Sequence, residues 1–164
     1  MGWICPCPRV NLCLSHFGST EANTVILIDT NVISELMRAE PDPRVLAWFA
    51  AVDSSALHLS AVGEAELRRG AAMLPPGKRR DLLTAQIDAM VNEDFAGRIV
   101  PFDSKAAVEF AAIDADRRDS GLPISFADCQ IAATARAHGA TLATRNIADF
   151  ERCGIEVVNP WGEE

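Results

Sequence analysis

The stretch Val25-Ile26-Leu27-Ile28-Asp29-Thr30-Asn31-Val32-Ile33-Ser34-Glu35-Leu36 decides the fold. Its first four residues form a short apolar run, the pattern of a strand buried on both faces. Asp29 closes that run, and Thr30 to Arg38 reads as a helix stopped before Pro41. The same alternation continues downstream. Asp42-Pro43 supplies an N-cap and a first-turn proline for a helix to about Val52. Ala56 to Leu59 is a second strand, and Ser60 caps a helix to about Met73 that Pro75-Pro76-Gly77 ends. Lys78 to Asp94 carries Leu82, Leu83, Ile87, Met90 and Val91 at helical spacing. Arg98 to Val100 is a brief strand. Asp103 caps a helix to Ser120 with Gly121 after it, and Ser125 caps one ending at His138-Gly139. Thr141 to Thr144 and Ile155 to Val158 are the last strands. Short apolar strands alternating with helices predict a three-layer α/β fold, a mostly parallel sheet of about five strands flanked by helices.

The chain has 164 residues, 49% hydrophobic and 23% charged, as expected for one globular domain. Fifteen basic against 23 acidic residues give a net charge of −8, which excludes a general basic coat for nucleic acid or anionic membrane. No apolar run approaches the ~20 residues of a membrane span. The five cysteines include no CxxC pair, so a reducing, cytoplasmic setting is expected. Residues 1–24 hold three of those cysteines and no sustained periodicity. They lack the basic start and apolar core of a secretory signal. Cys5, Cys7 and His16 fit no zinc spacing well. This segment is expected to be a disordered leader or a start assigned too early, with the domain itself spanning 25–164.

Parallel α/β sheets bind ligands beyond the carboxyl ends of their strands. Asp29 follows the first strand, Glu64 and Glu66 lie early in the helix after the second, and Arg145, Asn146 and Asp149 follow Thr141–Thr144. Asp128 sits in the first turn of the helix leading into that strand. Each acid has a structural alternative. Asp29 could cap a helix, Asp128 completes a Ser125-x-x-Asp128 capping box, and Asp149 could cap the turn Ile147–Phe150. Glu64 and Glu66 point ~200° apart around a helix, so at most one faces the rim. Asp114, Asp116 and Asp119 read as a solvated face with Arg117 and Arg118. Clustered carboxylates repel unless a cation sits among them. Hard oxygen donors suit Mg²⁺ or Mn²⁺, the ions of phosphoryl transfer.

Ile28-Asp-Thr-Asn-Val-Ile-Ser-Glu35 resembles the opening of a PIN-domain ribonuclease of the VapC/FitB toxin group. Ser60 with Glu66-Leu67 and Gly70 resembles that group's second motif, Asp128-x-x-Ile131 to Ala135 its third, Thr144-Arg-Asn-x-x-Asp149-Phe150 its fourth, and Val158-Asn-Pro-Trp161 its ending. The resemblance runs from Val25 to Trp161 and implies a PIN-like fold. It implies catalytic, metal-binding carboxylates at Asp29, Glu66, Asp128 and Asp149, with Mg²⁺ or Mn²⁺ as cofactor. It selects Glu66 over Glu64, because Leu67 and Gly70 fix the frame. Thr30 and Asn31 would shape the first-motif turn, and Thr144 and Asn146 would hold water or the carboxylates by hydrogen bonds. Arg145 is the candidate phosphate contact, with Arg68, Arg69, Arg79 and Arg80 as further local cations. Gly63 departs from the group's frequent threonine, which implies a looser helix start. Val25 stands where the family's initiator commonly falls, so translation is expected to begin there. The activity implied is an endoribonuclease toxin acting on RNA, neutralised by a cognate antitoxin and forming a homodimer. The alternatives are a non-catalytic PIN-like module that binds RNA or protein, and a phosphoaspartate enzyme, for which Asn31 stands where a second aspartate belongs. A nucleophilic Cys129 has no indicated histidine partner.

Overall fold

The apolar runs become five short strands: β1 (Ile26–Ile28), β2 (Leu57–Ser60), β3 (Ile99–Val100), β4 (Thr141–Ala143) and β5 (Val157–Val158). A computed structural model describes residues 25–162, so the expectations for residues 1–24 lie outside the described residues. The strands form one sheet in the order β3-β2-β1-β4-β5, and every pairing is parallel. Six helices connect and cover them: α1 (Thr30–Leu36), α2 (Pro43–Ala51), α3 (Ala61–Ala72), α4 (Lys78–Ala89), α5 (Ser104–Asp119) and α6 (Phe126–Ala137). This is the expected three-layer α/β architecture, with a wholly parallel sheet. Among the described residues, no helix is long and apolar enough to cross a membrane.

Alternation along β1 sends Leu27 and Ile28 to opposite faces. Leu27 meets Leu142 in register and packs with Ile113 of α5 and the buried run Cys129 to Ala135 of α6. Ile28 meets Leu59 and packs with Val32 and Ile33 of α1, Val45 of α2 and Trp161. Burying each such aliphatic side chain stabilises the fold by roughly 1.5–3 kcal/mol. The sheet thus separates two cores, and α3 reaches both through Val62 and Leu67.

The expected caps form. Asp42 accepts from the Arg44 N–H, Ser60 from Gly63, Asp103 from Ala106 and Ser125 from Asp128. Gly121 follows α5 at φ +70°, where a side chain would be strained, and its N–H donates to the Arg118 carbonyl.

Two expectations need correction. The helix read as continuous from Lys78 to Asp94 is α-helical only to Ala89, and Met90–Asp94 widens into a π-turn. There the Phe95 N–H donates to the Met90 carbonyl at 2.9 Å, and Phe95 enters the core. Arg98, just beyond the turn, donates to the Asp94 carbonyl within it and to the Ser54 and Leu57 carbonyls just before and at the start of β2. Arg117 is the second correction. It was expected on a solvated face, but it is only 4% exposed, and its Nη1 donates to the Glu151 carbonyl at 2.6 Å. Asp114 pairs with Arg118 and Asp116 with Arg152 on the outer side.

Candidate active site

Asp29 ends β1 and begins α1, so its side chain serves both elements. Its Oδ1 accepts the Thr30 N–H at 2.7 Å, the helix-capping bond that the sequence allows. Its Oδ2 accepts from Asn31 Nδ2 at 2.8 Å and from the Thr144 hydroxyl at 2.6 Å. Thr144 lies just beyond β4, which pairs directly with β1, and that adjacency brings the hydroxyl to the carboxylate. The hydroxyl also accepts from Asn31 Nδ2 at 2.9 Å and from the Asn146 N–H at 3.1 Å. One donor and two acceptor sites are all a hydroxyl has, so Thr144 is saturated. Asn31 completes the mesh by accepting the Arg145 N–H through Oδ1 at 3.3 Å. Thr30, Asn31 and Thr144 therefore converge on one carboxylate, and Asn146 reaches it only indirectly, through a backbone N–H on the Thr144 hydroxyl.

Two further carboxylates face it. Burial raises Asp29 above its usual 3.8, opposed by the Thr144 and Thr30 hydrogen bonds and reinforced by the Asp128 charge. Glu66, on the second turn of α3, is also raised, first by burial and then by the charges of Asp128 and Asp29; the Thr30 hydroxyl lowers it. Asp128 stands in the first turn of α6, where Oδ2 accepts the Ser125 hydroxyl at 2.6 Å. Asp29 and Glu66 thus both feel the Asp128 charge, and Glu66 feels that of Asp29 as well.

Glu64 is turned away. It pairs with Arg68 at 2.7 Å, and Arg68 also holds Asp88 at 2.6 Å. Arg68 is thereby engaged and does not serve the rim. Asp149 lies in the exposed turn Ile147–Phe150, whose N-cap is Asn146, so Asp149 is not the turn's cap. It lines an open cavity of 810 Å³ with Arg145, Asn146 and Asn159, and it has no bond to the other three acids. Gly63 stands in the first turn of α3, where there is little room beside it. A Cβ there would lie 3.1 Å from Leu59 Cδ1 and 3.2 Å from Ser60 Oγ. The sequence reading passed over Glu35, which is 8% exposed and accepts the Asp42 N–H at 2.9 Å, joining α1 to α2. The signal was an acid on the inner face of an otherwise apolar helix. Cys129 is buried, its thiol pushed up to about 11, so it stays protonated at neutral pH.

The donor set is hard oxygen alone. Among the described residues, no group of three or more acid, His or Cys side chains is placed to hold a metal ion. Mg²⁺ is commonly bound through only one or two carboxylates, with several waters kept, so what the rim offers it is the type of donor. Two raised carboxylates at one rim are a charge excess that a divalent cation would relieve.

Comparisons with known proteins agree with this geometry. The PIN domain family model matches residues 26–155. A VapC ribonuclease of Sinorhizobium fredii is 47% identical over 137 residues, covering 84% of this chain and 98% of the relative. Toxin FitB of Neisseria gonorrhoeae is 42% identical over 137 residues, covering 84% and 99%. The crystal structure of FitAcB from Neisseria gonorrhoeae matches with a TM-score of 0.78 at 42% identity, over 84% of this chain and 99% of that one. A parallel sheet in this order, acids at its carboxyl rim and kinship over nearly the whole described chain lead to one conclusion: the chain belongs to the PIN-domain family, in the group of the VapC ribonucleases and FitB toxins.

Proposed function

We propose that the chain is the toxin of a toxin–antitoxin pair and a Mg²⁺-dependent endoribonuclease that hydrolyses RNA phosphodiester bonds in the cytoplasm. The observation that carries the reading is the Asp29 carboxylate held at the end of β1 by Thr30, Asn31 and Thr144, supported by the charge of Asp128 acting on both Asp29 and Glu66. Asp29 and Asp128 would hold the cation as the core donors, with Glu66 and Asp149 completing the set directly or through water. When bound, Mg²⁺ supplies Lewis-acid polarisation of a phosphate oxygen and a more acidic water. Thr30, Asn31 and Thr144 fix the Asp29 carboxylate, and Asn146 anchors the Thr144 hydroxyl that holds it. Arg145, exposed beside them, contacts the RNA phosphate. Water attacks phosphorus in line and leaves a 5′-phosphate and a 3′-OH. A cognate antitoxin is the protein partner, and the chain forms a homodimer. Kinship with named ribonucleases and retention of all four acids favour the enzyme over a non-catalytic binding module.

The test is cleavage of an RNA panel with Mg²⁺, Mn²⁺ or EDTA. Cleavage in both metals and none in EDTA is expected. Equal cleavage in EDTA would remove the metal from the mechanism, and RNA binding with no cleavage in any condition would favour the binding module.

A further inference from the structure

The Arg145 guanidinium carbon stands 5.4 Å from the Trp161 ring centroid, over its face. The indole is a fixed floor. Trp161 is 4% exposed and packs in the core with Ile28, Val32 and Val45. The Trp161 backbone N–H donates to Asn159 Oδ1 at 3.0 Å, and Asn159 Nδ2 donates to the Gly162 carbonyl at 2.9 Å, closing a tight turn. Arg145 is tied at its other end, because its backbone N–H donates to the Asn31 side chain that also holds Asp29. The Arg145 backbone is thus held at the carboxylate mesh while its guanidinium rests on the indole.

Its edge has no carboxylate partner among the described residues. Arg145 shares an open cleft of 440 Å³ with Glu35, Arg38, Glu40 and Asp42. Glu35 is engaged by the Asp42 N–H and by Arg38 at 3.3 Å, and Asp42 pairs with Arg44 at 2.9 Å. Arg145 acts on Asp42 only as a distant charge. A guanidinium stacked on an aromatic face keeps its N–H fork directed outward, and that fork suits a phosphate. Stacking also removes part of the side-chain freedom that binding would otherwise cost.

We propose that Trp161 is a positioning residue for Arg145, and that the indole–guanidinium pair clamps an RNA backbone phosphate beside the carboxylate rim. The proposal rests on the reading of the chain as an RNA-directed enzyme and names how that site grips its substrate. A backbone clamp reads charge and not base, so it contributes equally to every RNA sequence.

Binding of a short fluorescein-labelled single-stranded RNA to the full chain, followed by anisotropy in EDTA, separates the clamp from catalysis. Arg145→Ala should weaken binding about tenfold, as expected for a charge-assisted contact, and lower the salt slope by about 0.7. Arg145→Lys should fall between Ala and wild type, since it keeps the charge and loses the fork. Trp161→Leu should weaken binding several-fold while Trp161→Phe retains it. Trp161→Leu should add no loss in the Arg145→Ala background. Wild-type binding by a folded Trp161→Leu, or an equal loss in both backgrounds, overturns the proposal. Should Trp161→Leu fail to fold, the Trp161 indole Nε1–H resonance decides. It should shift when RNA is added to wild type and stay put in Arg145→Ala; no shift in wild type overturns the clamp. A wild type that binds RNA through Arg145 yet cleaves nothing overturns the nuclease reading alone. Intact cleavage with unweakened binding by Arg145→Ala overturns the clamp alone.

Discussion

The Thr144 hydroxyl donates to Asp29 Oδ2 at 2.6 Å across 115 residues of chain. Both residues are buried, so the bond joins β1 to β4 at the point where the acidic rim begins. Thr144→Val keeps the shape and removes the hydroxyl. It removes one of the donors to Asp29 and one of the two acceptors of Asn31 Nδ2, and it leaves the Asn146 N–H without its acceptor. The expected loss is about 1–3 kcal/mol in denaturant unfolding and roughly 10–100-fold in RNA cleavage. Thr144→Ser keeps the hydroxyl and should retain most of both. Equal damage by Ser and Val would assign the effect to the missing methyl instead.

Glu66 gives a pH signature. Its carboxyl is raised above 4.5 by burial and by Asp128 and Asp29. The folded state therefore binds more protons than the unfolded one just above that value. Stability contributed by this group then falls as pH rises through the window, and its ionised form costs stability at neutral pH. Glu66→Gln should melt higher than wild type at pH 7 in EDTA, with the gap closing as pH drops toward 4.5. Added Mg²⁺ should narrow the gap at pH 7 by stabilising wild type. Thermal melts over this range check it, and a gap independent of pH contradicts it. Glu64→Gln, which breaks only the pair with Arg68, should leave cleavage intact.

Local signals were legible in the sequence, and long-range ones were not. Ser60, Asp103 and Ser125 announce their helices because a cap acts within three residues. Helical geometry alone showed that Glu64 and Glu66 cannot both face the rim. The Asp29–Thr144–Asn31 mesh depends on β4 lying beside β1, a sheet order that spacing does not reveal. Arg117 was misread from its charged neighbours. It follows Ala106, Phe110 and Ile113 at helical spacing, so the inner stripe of α5 continues through it. The π-turn at Met90–Asp94 keeps the same apolar pattern as an α-helix and left no signal of its own.

Asn substitutions should separate the two core acids. Asp128 accepts one hydroxyl, from Ser125, and an amide oxygen can replace that acceptor. Asp128→Asn should therefore keep stability within about 1 kcal/mol while cleavage falls more than about 100-fold, the loss of a charge that holds the cation. Asp29 accepts through both oxygens, so an Asn there sets an NH₂ against existing donors. Asp29→Asn should lose cleavage and about 1–3 kcal/mol as well. Unfolding curves recorded beside cleavage assays distinguish the pair, and full activity in both variants would refute the site.

Arg117 poses the opposite question, a charge inside the fold with no ion-pair partner among the described residues. Its Nη1 reaches the Glu151 carbonyl, while its buried Nε has no hydrogen-bond partner. Burying a guanidinium costs desolvation that a single carbonyl offsets only in part. Its long aliphatic stem is buried with the rest of the side chain, so filled volume is expected to contribute alongside the single carbonyl bond. Arg117→Met keeps that volume and should stay within about 1 kcal/mol of wild type or exceed it. Arg117→Ala leaves a cavity and should lose roughly 2–4 kcal/mol. Cleavage should persist in both, since Arg117 touches none of the rim carboxylates. If Met proves as damaging as Ala, the bond to Glu151 and not the filled volume holds the turn that carries Asp149.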